Sequence, residues 1–177
     1  MVKFDLEKLT HNYTFPPFDC GDTDLNDYFL NDATGHHNQL LSVTYLLTSR
    51  ADASLIGYFS VLNDKISIGD VESKSRLKKI AKAIPNNKRH SSYPAVKLGR
   101  LGVNKQHQGG GYGTAILDFL KTLFVKQNIT GCRFITVDAY VKSIAFYNKN
   151  GFYFLTEKDK DSATTRMMYF DLKTIKE

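Results

Sequence analysis

Residues 98–126 read LGRLGVNKQHQGGGYGTAILDFLKTLFVK, and this stretch predicts a strand, a glycine-rich turn and a helix in succession. Hydrophobic side chains recur every three or four residues over 114–126, which is the spacing of an amphipathic helix. The turn at 108–113 contains three consecutive glycines and a fourth after Tyr112. Because glycine has no Cβ, backbone N–H groups of such a turn can approach an anion closely at the start of a helix. We therefore predict a phosphate-binding turn.

The spacing of the glycines restricts which phosphate-containing ligands the turn can bind. A Walker A loop requires Gly-Lys-Ser/Thr, and no lysine follows these glycines. The dinucleotide pattern G-x-G-x-x-G requires a glycine at position 114 or 116, where Thr114 and Ile116 stand. The pattern Q/R-x-x-G-x-G/A fits, with Gln108, Gly111 and Gly113. Taken alone, however, the glycines are also compatible with a flexible connector.

The rest of the chain alternates strand and helix patterns. Strands are predicted at 4–9, 43–49, 54–62, 95–103, 134–138, 153–155 and 166–170, and helices at 23–38, 71–84, 114–126 and 143–150. Asp22 to Asp24 offer an N-cap for the first helix, Ser143 one for the last, and Asn150-Gly151 a left-handed C-terminal cap. This order predicts an α/β protein with a mixed central sheet and helices on both faces. A length of 177 residues fits one domain over 1–177.

Composition excludes several classes of protein. No apolar run approaches the roughly 20 residues that span a bilayer, so no membrane segment is expected. The first residues show no signal peptide or lipidation motif, and we expect a cytoplasmic location. Cys20 and Cys132 each lack a second cysteine or a spaced histidine, which favours buried or half-buried free thiols over zinc or a disulfide. His36-His37 has no third ligand at a fitting spacing, so no metal is expected.

Positive charge is concentrated in one segment. Residues 72–100 contain nine Lys or Arg and a single acid, Glu72, a net charge of +8 in a chain whose total is +6. Such a patch attracts polyanions, including nucleic acid and phosphorylated cofactors. A basic helix face that is merely solvated explains the charge equally well.

Two signatures, in order, resemble the GNAT acetyltransferases. The first is the strand Leu98-Gly-Arg-Leu-Gly-Val103 followed by the glycine turn, and the second is Ala145-Phe-Tyr147-Asn-Lys-Asn-Gly151-Phe152. The resemblance implies the GNAT fold and an N-acetyltransferase that moves an acetyl group from acetyl-CoA to a primary amine by direct attack. The paired signatures make the connector interpretation of the turn much weaker.

The resemblance also implies roles for particular residues. Tyr147 would protonate the departing thiolate, and a phenol with a pKa of about 10 is protonated at neutral pH. The alternative is a helix tyrosine that simply packs beside Phe146 and Phe152. Backbone groups of the strand would contact the pantetheine arm and those of the turn the pyrophosphate; they belong to Leu101, Val103, Gln108, Gly109, Gly110, Gly111, Tyr112, Gly113 and Thr114.

Two departures from the family pattern bear on the acceptor. Tyr140 stands where many members have an asparagine, and the strand before the turn carries Lys97 and Arg100 where many have a glutamate base. Deprotonating a lysine side chain at pH 7 costs roughly 4–5 kcal/mol, but an α-amine costs only about 1 kcal/mol. A site without an obvious base therefore suits a weakly basic amine. Asp138 or water as a base is left open, with a structural role favoured for Asp138.

A second resemblance is to GNAT toxins that acetylate aminoacyl-tRNA. It rests on Phe18-Asp-Cys20-Gly21, Gly57-Tyr58-Phe59 and Tyr93-Pro-Ala-Val-Lys-Leu-Gly-Arg-Leu101. It implies a DNA-binding antitoxin partner and a basic surface for tRNA, for which the candidates are Lys78, Lys79, Lys82, Lys88, Arg89, Lys97 and Arg100. An acetyltransferase of protein or small-molecule amines, or a non-catalytic acetyl-CoA-binding module, is the alternative. A homodimer is also left open.

Overall fold

The structure is a computed structural model that describes residues 4–86, 90–127 and 130–175. Its strands are β1 (Phe4–Lys8), β2 (Val43–Ser49), β3 (Leu55–Ser67), β4 (Ser92–Val103), β5 (Phe134–Tyr140), β6 (Tyr153–Phe154) and β7 (Thr165–Asp171). Its helices are α1 (Thr23–Asp27), α2 (Ala33–Asn38), α3 (Lys74–Ile80), α4 (Tyr112–Lys126) and α5 (Ile144–Lys149), and a π-helical turn, Tyr28–Asp32, joins α1 to α2. The predicted order of elements is confirmed.

The strands form one mixed sheet in the order β1-β2-β3-β4-β5-β7-β6. β4 pairs with β5 in parallel, whereas β1 with β2, β2 with β3, β5 with β7 and β6 with β7 are antiparallel. This confirms the predicted α/β class, and β2 and β3 form an antiparallel hairpin. Among the described residues, no helix combines the length and apolarity needed to cross a membrane.

The chain divides into two compact units, Met1–Leu62 with Leu98–Leu120 and Asn63–Lys97 with Lys121–Glu177. The first unit has an aromatic core in which the rings of Phe29 and Tyr58 stack 4.5 Å apart. Its first helix begins where predicted, because the Asp22 carboxylate accepts a hydrogen bond from the Leu25 N–H at 3.2 Å.

Cys20 in this unit is free and half-buried, and so is Cys132 in the second, as predicted.

In the second unit, α3 buries Leu77 and Ile80 against Phe134 of β5. The helix is shorter than the predicted 71–84. It begins at Lys74, since the Ser73 hydroxyl accepts from the Arg76 N–H at 3.1 Å, and Ala81 already leaves helical geometry with φ −92° and ψ 12°. β3 in turn runs on to Ser67, five residues beyond its predicted end. Exposed and less exposed side chains alternate over these residues, with Ile66 buried.

Candidate active site

The glycine turn is an open backbone structure at the start of α4. Gly109 and Gly111 adopt φ of +78° and +81°, a region that L side chains rarely occupy, and a Cβ at either would meet no atom within 4 Å. α4 begins at Tyr112, two residues earlier than predicted, and the Ala115 N–H donates to the Gly111 carbonyl at 3.0 Å. The first N–H groups of a helix have no carbonyl partner within it. The turn therefore offers both space and backbone donors to an anion.

Gln108 braces this turn from its first position. Its side-chain Nε2 donates to the carbonyls of Cys20 at 2.8 Å and Val103 at 2.9 Å. Its backbone N–H donates to the Lys105 carbonyl at 3.3 Å. The Gln108 amides are thus engaged with the protein, and the glycines that follow carry the accessible part of the turn.

A second brace comes from the segment before α1. The Lys105 ammonium lies 2.6 Å from an Asp19 carboxylate oxygen, and the Lys105 N–H donates to the Asp19 carbonyl at 2.9 Å. Hydrogen bonds from the side chains of Lys105 and Asn26 lower the pKa of Asp19 to about 2. The string Phe18-Asp-Cys20-Gly21, quoted above for its resemblance, thus holds the loop that leads into the glycine turn.

The strand that leads into the turn approaches β3 unusually closely. A Cβ on Gly57 would lie 2.5 Å from the Gly102 carbonyl oxygen, and one on Gly102 would lie 2.8 Å from the Tyr58 ring. Both positions therefore require glycine for steric reasons. Leu101 and Val103, on either side of Gly102, are half-buried.

Tyr147 is a buried residue of α5, with 7% of its surface exposed. Its ring contacts Phe146 and Phe152 edge to face, with centroids 5.1 and 5.4 Å away. Burial raises the pKa of the Tyr147 phenol above its ordinary value, so the hydroxyl is protonated throughout the neutral range. This is the protonation state that a proton donor needs, and the aromatic packing fixes the ring.

The ends of α5 differ in how well the sequence predicted them. Gly151 has φ +82°, which confirms the left-handed C-terminal cap. Ser143 occupies the N-cap position, but its side chain makes no capping hydrogen bond, so the predicted capping contact is wrong.

A row of polar side chains crosses three strands in the second unit. The Lys97 ammonium lies 2.5 Å from the Asp138 carboxylate, and the Thr136 hydroxyl donates to Asp64 in a short hydrogen bond. Thr136 is the register partner of Lys97 in the β4–β5 pair. Sequence reasoning missed Asp64, because 63–67 was not predicted as strand. Both carboxylates in this row already have partners.

Arg100 is tied into the first unit. Its guanidinium lies over the Tyr28 ring at 5.0 Å, and Nε lies 3.9 Å from an Asp24 oxygen, beyond hydrogen-bond distance. Within the described part of the chain, Nε is buried without a hydrogen-bond partner. The Tyr28 hydroxyl shares a 3.0 Å hydrogen bond with Ser42. Tyr28 belongs to the π-helical turn, a conformation found frequently at functional sites.

The basic segment separates into exposed and structural cations. Arg76 donates to the carbonyls of Phe154 at 2.6 Å and Leu155 at 3.3 Å, and it serves the packing of α3. Lys88 and Arg89 lie outside the described residues. The lysines that are exposed on and just after α3 are Lys74, Lys78, Lys79 and Lys82.

The chemistry of the open turn fits a pyrophosphate, and comparison with protein families agrees. Residues 71–153 match the model of the acetyltransferase (GNAT) domain. Over this segment the chain is similar to the GNAT acetyltransferases, a family of N-acetyltransferases that use acetyl-CoA.

Three individual proteins are similar to this chain over most of its length. A protein of Sinorhizobium fredii (strain NBRC 101917 / NGR234) named "Probable toxin TacT" is 23% identical over 144 residues, covering 76% of this chain and 75% of its own. A crystal structure of a KacT mutant matches 97% of this chain and 96% of its own with a TM-score of 0.75 and 24% identity. AtaT complexed with acetyl-methionyl-tRNAfMet gives a TM-score of 0.76 and 22% identity over the same shares. These structures confirm the predicted GNAT fold.

Proposed function

We propose that this enzyme acetylates the α-amino group of aminoacyl-tRNA and acts as the toxin of a toxin–antitoxin pair. The observation that carries the proposal is the match over 97% of the chain to AtaT complexed with acetyl-methionyl-tRNAfMet. The chemistry of the described site supports the same acceptor independently, as follows.

The proposed cofactor contacts begin at the glycine turn. Its open backbone, together with the dipole of the 15-residue helix α4, suits the two negative charges of the pyrophosphate. We assign the pyrophosphate to the N–H groups of 109–114, and we assign to Gln108 the bracing of the turn. Backbone groups of Leu101 and Val103 would serve the pantetheine arm. The Val103 carbonyl already accepts a hydrogen bond from the Gln108 side chain.

In the proposed reaction, the neutral amine attacks the thioester carbonyl carbon, a C–N bond forms and the C–S bond breaks. Tyr147 donates a hydrogen bond to the sulfur as negative charge develops there. A thiol has a pKa of about 8.5, below that of the buried phenol, so full transfer from Tyr147 alone is uphill. The acetylated nitrogen releases one proton and the thiolate takes up one, so the products are the amide and the free thiol.

The engaged carboxylates favour a weakly basic acceptor. Asp138 is ion-paired with Lys97, and Asp64 accepts from Thr136, so neither is an uncommitted carboxylate that could deprotonate a lysine. An α-amine, with a pKa near 7.7–8.0, loses its proton at pH 7 at a cost of only about 1 kcal/mol and so depends far less on such a base.

The proposed tRNA surface is the exposed part of the basic segment. Lys78, Lys79 and Lys82 are exposed, whereas Lys97 and Arg100 already interact with Asp138 and with Tyr28. Lysines on a helix contact phosphates without reading sequence, and their contribution falls as salt concentration rises. Lys88 and Arg89 remain candidates from sequence.

An antitoxin and a cytoplasmic location complete the proposal. AtaT has been solved with the C-terminus of the antitoxin AtaR, and the AtaT–AtaR complex has been solved bound to DNA. We propose a corresponding antitoxin for this chain. Aminoacyl-tRNA as the acceptor would place the enzyme in the cytoplasm.

The test supplies labelled acetyl-CoA with aminoacyl-tRNAs, lysine-containing peptides or polyamines in parallel. Label on the tRNA-borne amino acid, lost in Tyr147→Phe, is the expected result. Label on peptides or polyamines alone would establish the alternative acceptor class. Acetyl-CoA binding without transfer to any amine would identify a non-catalytic module.

A further inference from the structure

A buried lysine lies behind the helix that carries Tyr147. Lys121 of α4 is only 9% exposed, and its Nζ donates to the backbone carbonyl of Asn150 at 2.9 Å. The same ammonium lies over the Phe170 ring, 4.5 Å from its centroid. A buried ammonium is costly unless polar or aromatic groups compensate it. Here the compensating groups are the face of the Phe170 ring and the carbonyl of Asn150, the C-cap residue of α5.

The position at the end of α5 is electrostatically favourable. The C-terminus of a helix carries partial negative charge from its unpaired carbonyls, and a cation there is stabilising, more so when partly buried. Lys121 therefore holds the orientation of the residue that ends α5.

Two routes lead from Lys121 to Tyr147. Through the backbone, the Asn150 N–H donates to the Tyr147 carbonyl at 3.0 Å, and Asn150 Nδ2 donates to the Phe146 carbonyl at 2.8 Å. Through the side chains, the Phe170 ring lies 5.5 Å from Phe152, which lies 5.4 Å from Tyr147. The backbone of Tyr147 thus bonds to a residue that contacts Lys121, and its ring is connected through Phe152 to Phe170, which also contacts Lys121.

We propose that Lys121 is a positioning residue for acetyl transfer, acting through Asn150 and Phe170 to fix the hydroxyl of Tyr147. This inference rests on the donor role proposed above for Tyr147. If Lys121 only stabilised the fold, its removal would lower the unfolding midpoint. It would then reduce kcat by the same factor in the wild-type and the Tyr147→Phe backgrounds.

The experiment is a double-mutant cycle on the full-length enzyme. Lys121→Met keeps the aliphatic stem and removes the charge, and it is combined with Tyr147→Phe. Lys121→Arg tests rescue by a conserved charge, and Lys126→Met, an exposed lysine of the same helix, is the matched control. Lys121→Gln retains a donor and replaces the Met variant if the latter does not fold. The readouts are kcat, the KM for acetyl-CoA and the thermal unfolding midpoint.

We expect Lys121→Met to lower kcat about tenfold, as misplacement of a reacting group does, with the KM for acetyl-CoA within twofold. Lys121→Arg should recover part of kcat, and Lys121→Met should cause no further loss in the Tyr147→Phe background. Equal losses in both backgrounds, or an unchanged kcat in Lys121→Met, would overturn the positioning role. A fully active Tyr147→Phe would instead refute the donor role, a failure distinct from that of Lys121.

Discussion

The glycine turn and the Tyr147 helix are built on opposite principles. The turn is exposed, made of backbone in left-handed conformations, and has empty space where a Cβ would stand. The helix places its key side chain inside an aromatic cluster, with 7% exposure. A site made of exposed backbone can vary in affinity with little effect on the core, whereas the position of a buried side chain depends on the packing around it. Each construction makes a different kind of variant informative.

The largest effect is expected from Tyr147→Phe. It removes only the hydroxyl and leaves the ring contacts with Phe146 and Phe152, so stability should change little. kcat should fall by about 10²–10⁴, the usual range for loss of a proton donor, with the KM for acetyl-CoA unchanged. Steady-state kinetics and thermal unfolding measure both. Tyr153→Phe, at a 64% exposed tyrosine, is the control that should retain kcat.

Gly111→Ala should weaken acetyl-CoA binding about tenfold. A non-glycine residue at φ +81° costs roughly 1–2 kcal/mol of backbone strain, and the methyl group narrows the approach of the pyrophosphate to the backbone. Titration calorimetry measures the affinity. Gly35→Ala is the matched control. A Cβ at Gly35 also meets no atom within 4 Å, but the φ of Gly35 is not positive. Gly35→Ala should gain about 0.5–1 kcal/mol of stability and keep its affinity for acetyl-CoA. An equal loss of affinity in Gly111→Ala and Gly35→Ala would contradict the role of the turn.

Lys105→Met should weaken acetyl-CoA binding by about two- to threefold, since the ion pair with Asp19 braces the turn but is exposed. Arg50→Met breaks a comparably exposed pair with Asp5 elsewhere in the same unit and is the control. An effect of similar size in both variants would mean that net charge, not the brace, controls affinity.

The last prediction concerns alkaline pH. Burial raises the folded-state pKa of Tyr147, so the neutral phenol contributes stability that is complete below the unfolded pKa near 10 and is lost as pH rises above it. Denaturant titrations of wild type and Tyr147→Phe should therefore diverge above pH 10, with wild type losing more stability. The alkaline limb of kcat should show no ionisation at pH 10. Parallel curves up to pH 12 would contradict the burial argument.

The sequence predicted most of what depends on local patterns. The order of strands and helices, the Asp22 cap and the left-handed Gly151 follow from periodicity and from residues with strong conformational preferences. The site residues carried over from the resemblance, with Tyr147 and the turn amides foremost, stay predictions. So does the single domain.

What escaped prediction depends on long-range contacts. The β3 extension that brings Asp64 to Thr136 joins residues 72 positions apart. Arg76 contributes to the charge of the basic segment, yet its guanidinium is engaged by the carbonyls of Phe154 and Leu155. The bracing by Gln108 reaches back to Cys20, 88 positions away. Charge and pattern alone do not reveal which polar group satisfies a distant carbonyl.

The close approach of Gly57 to Gly102 has a consequence for selection experiments. In a random library screened for acetylation, both positions should stay glycine, because a methyl group at Gly57 would collide with backbone and no rotamer change could relieve it. Gly35, with open space, should drift freely. In a map of tolerated substitutions, Gly57 would then be as invariant as the residues of the glycine turn. Invariance at Gly57 would report a collision between neighbouring strands and not a contact with the ligand.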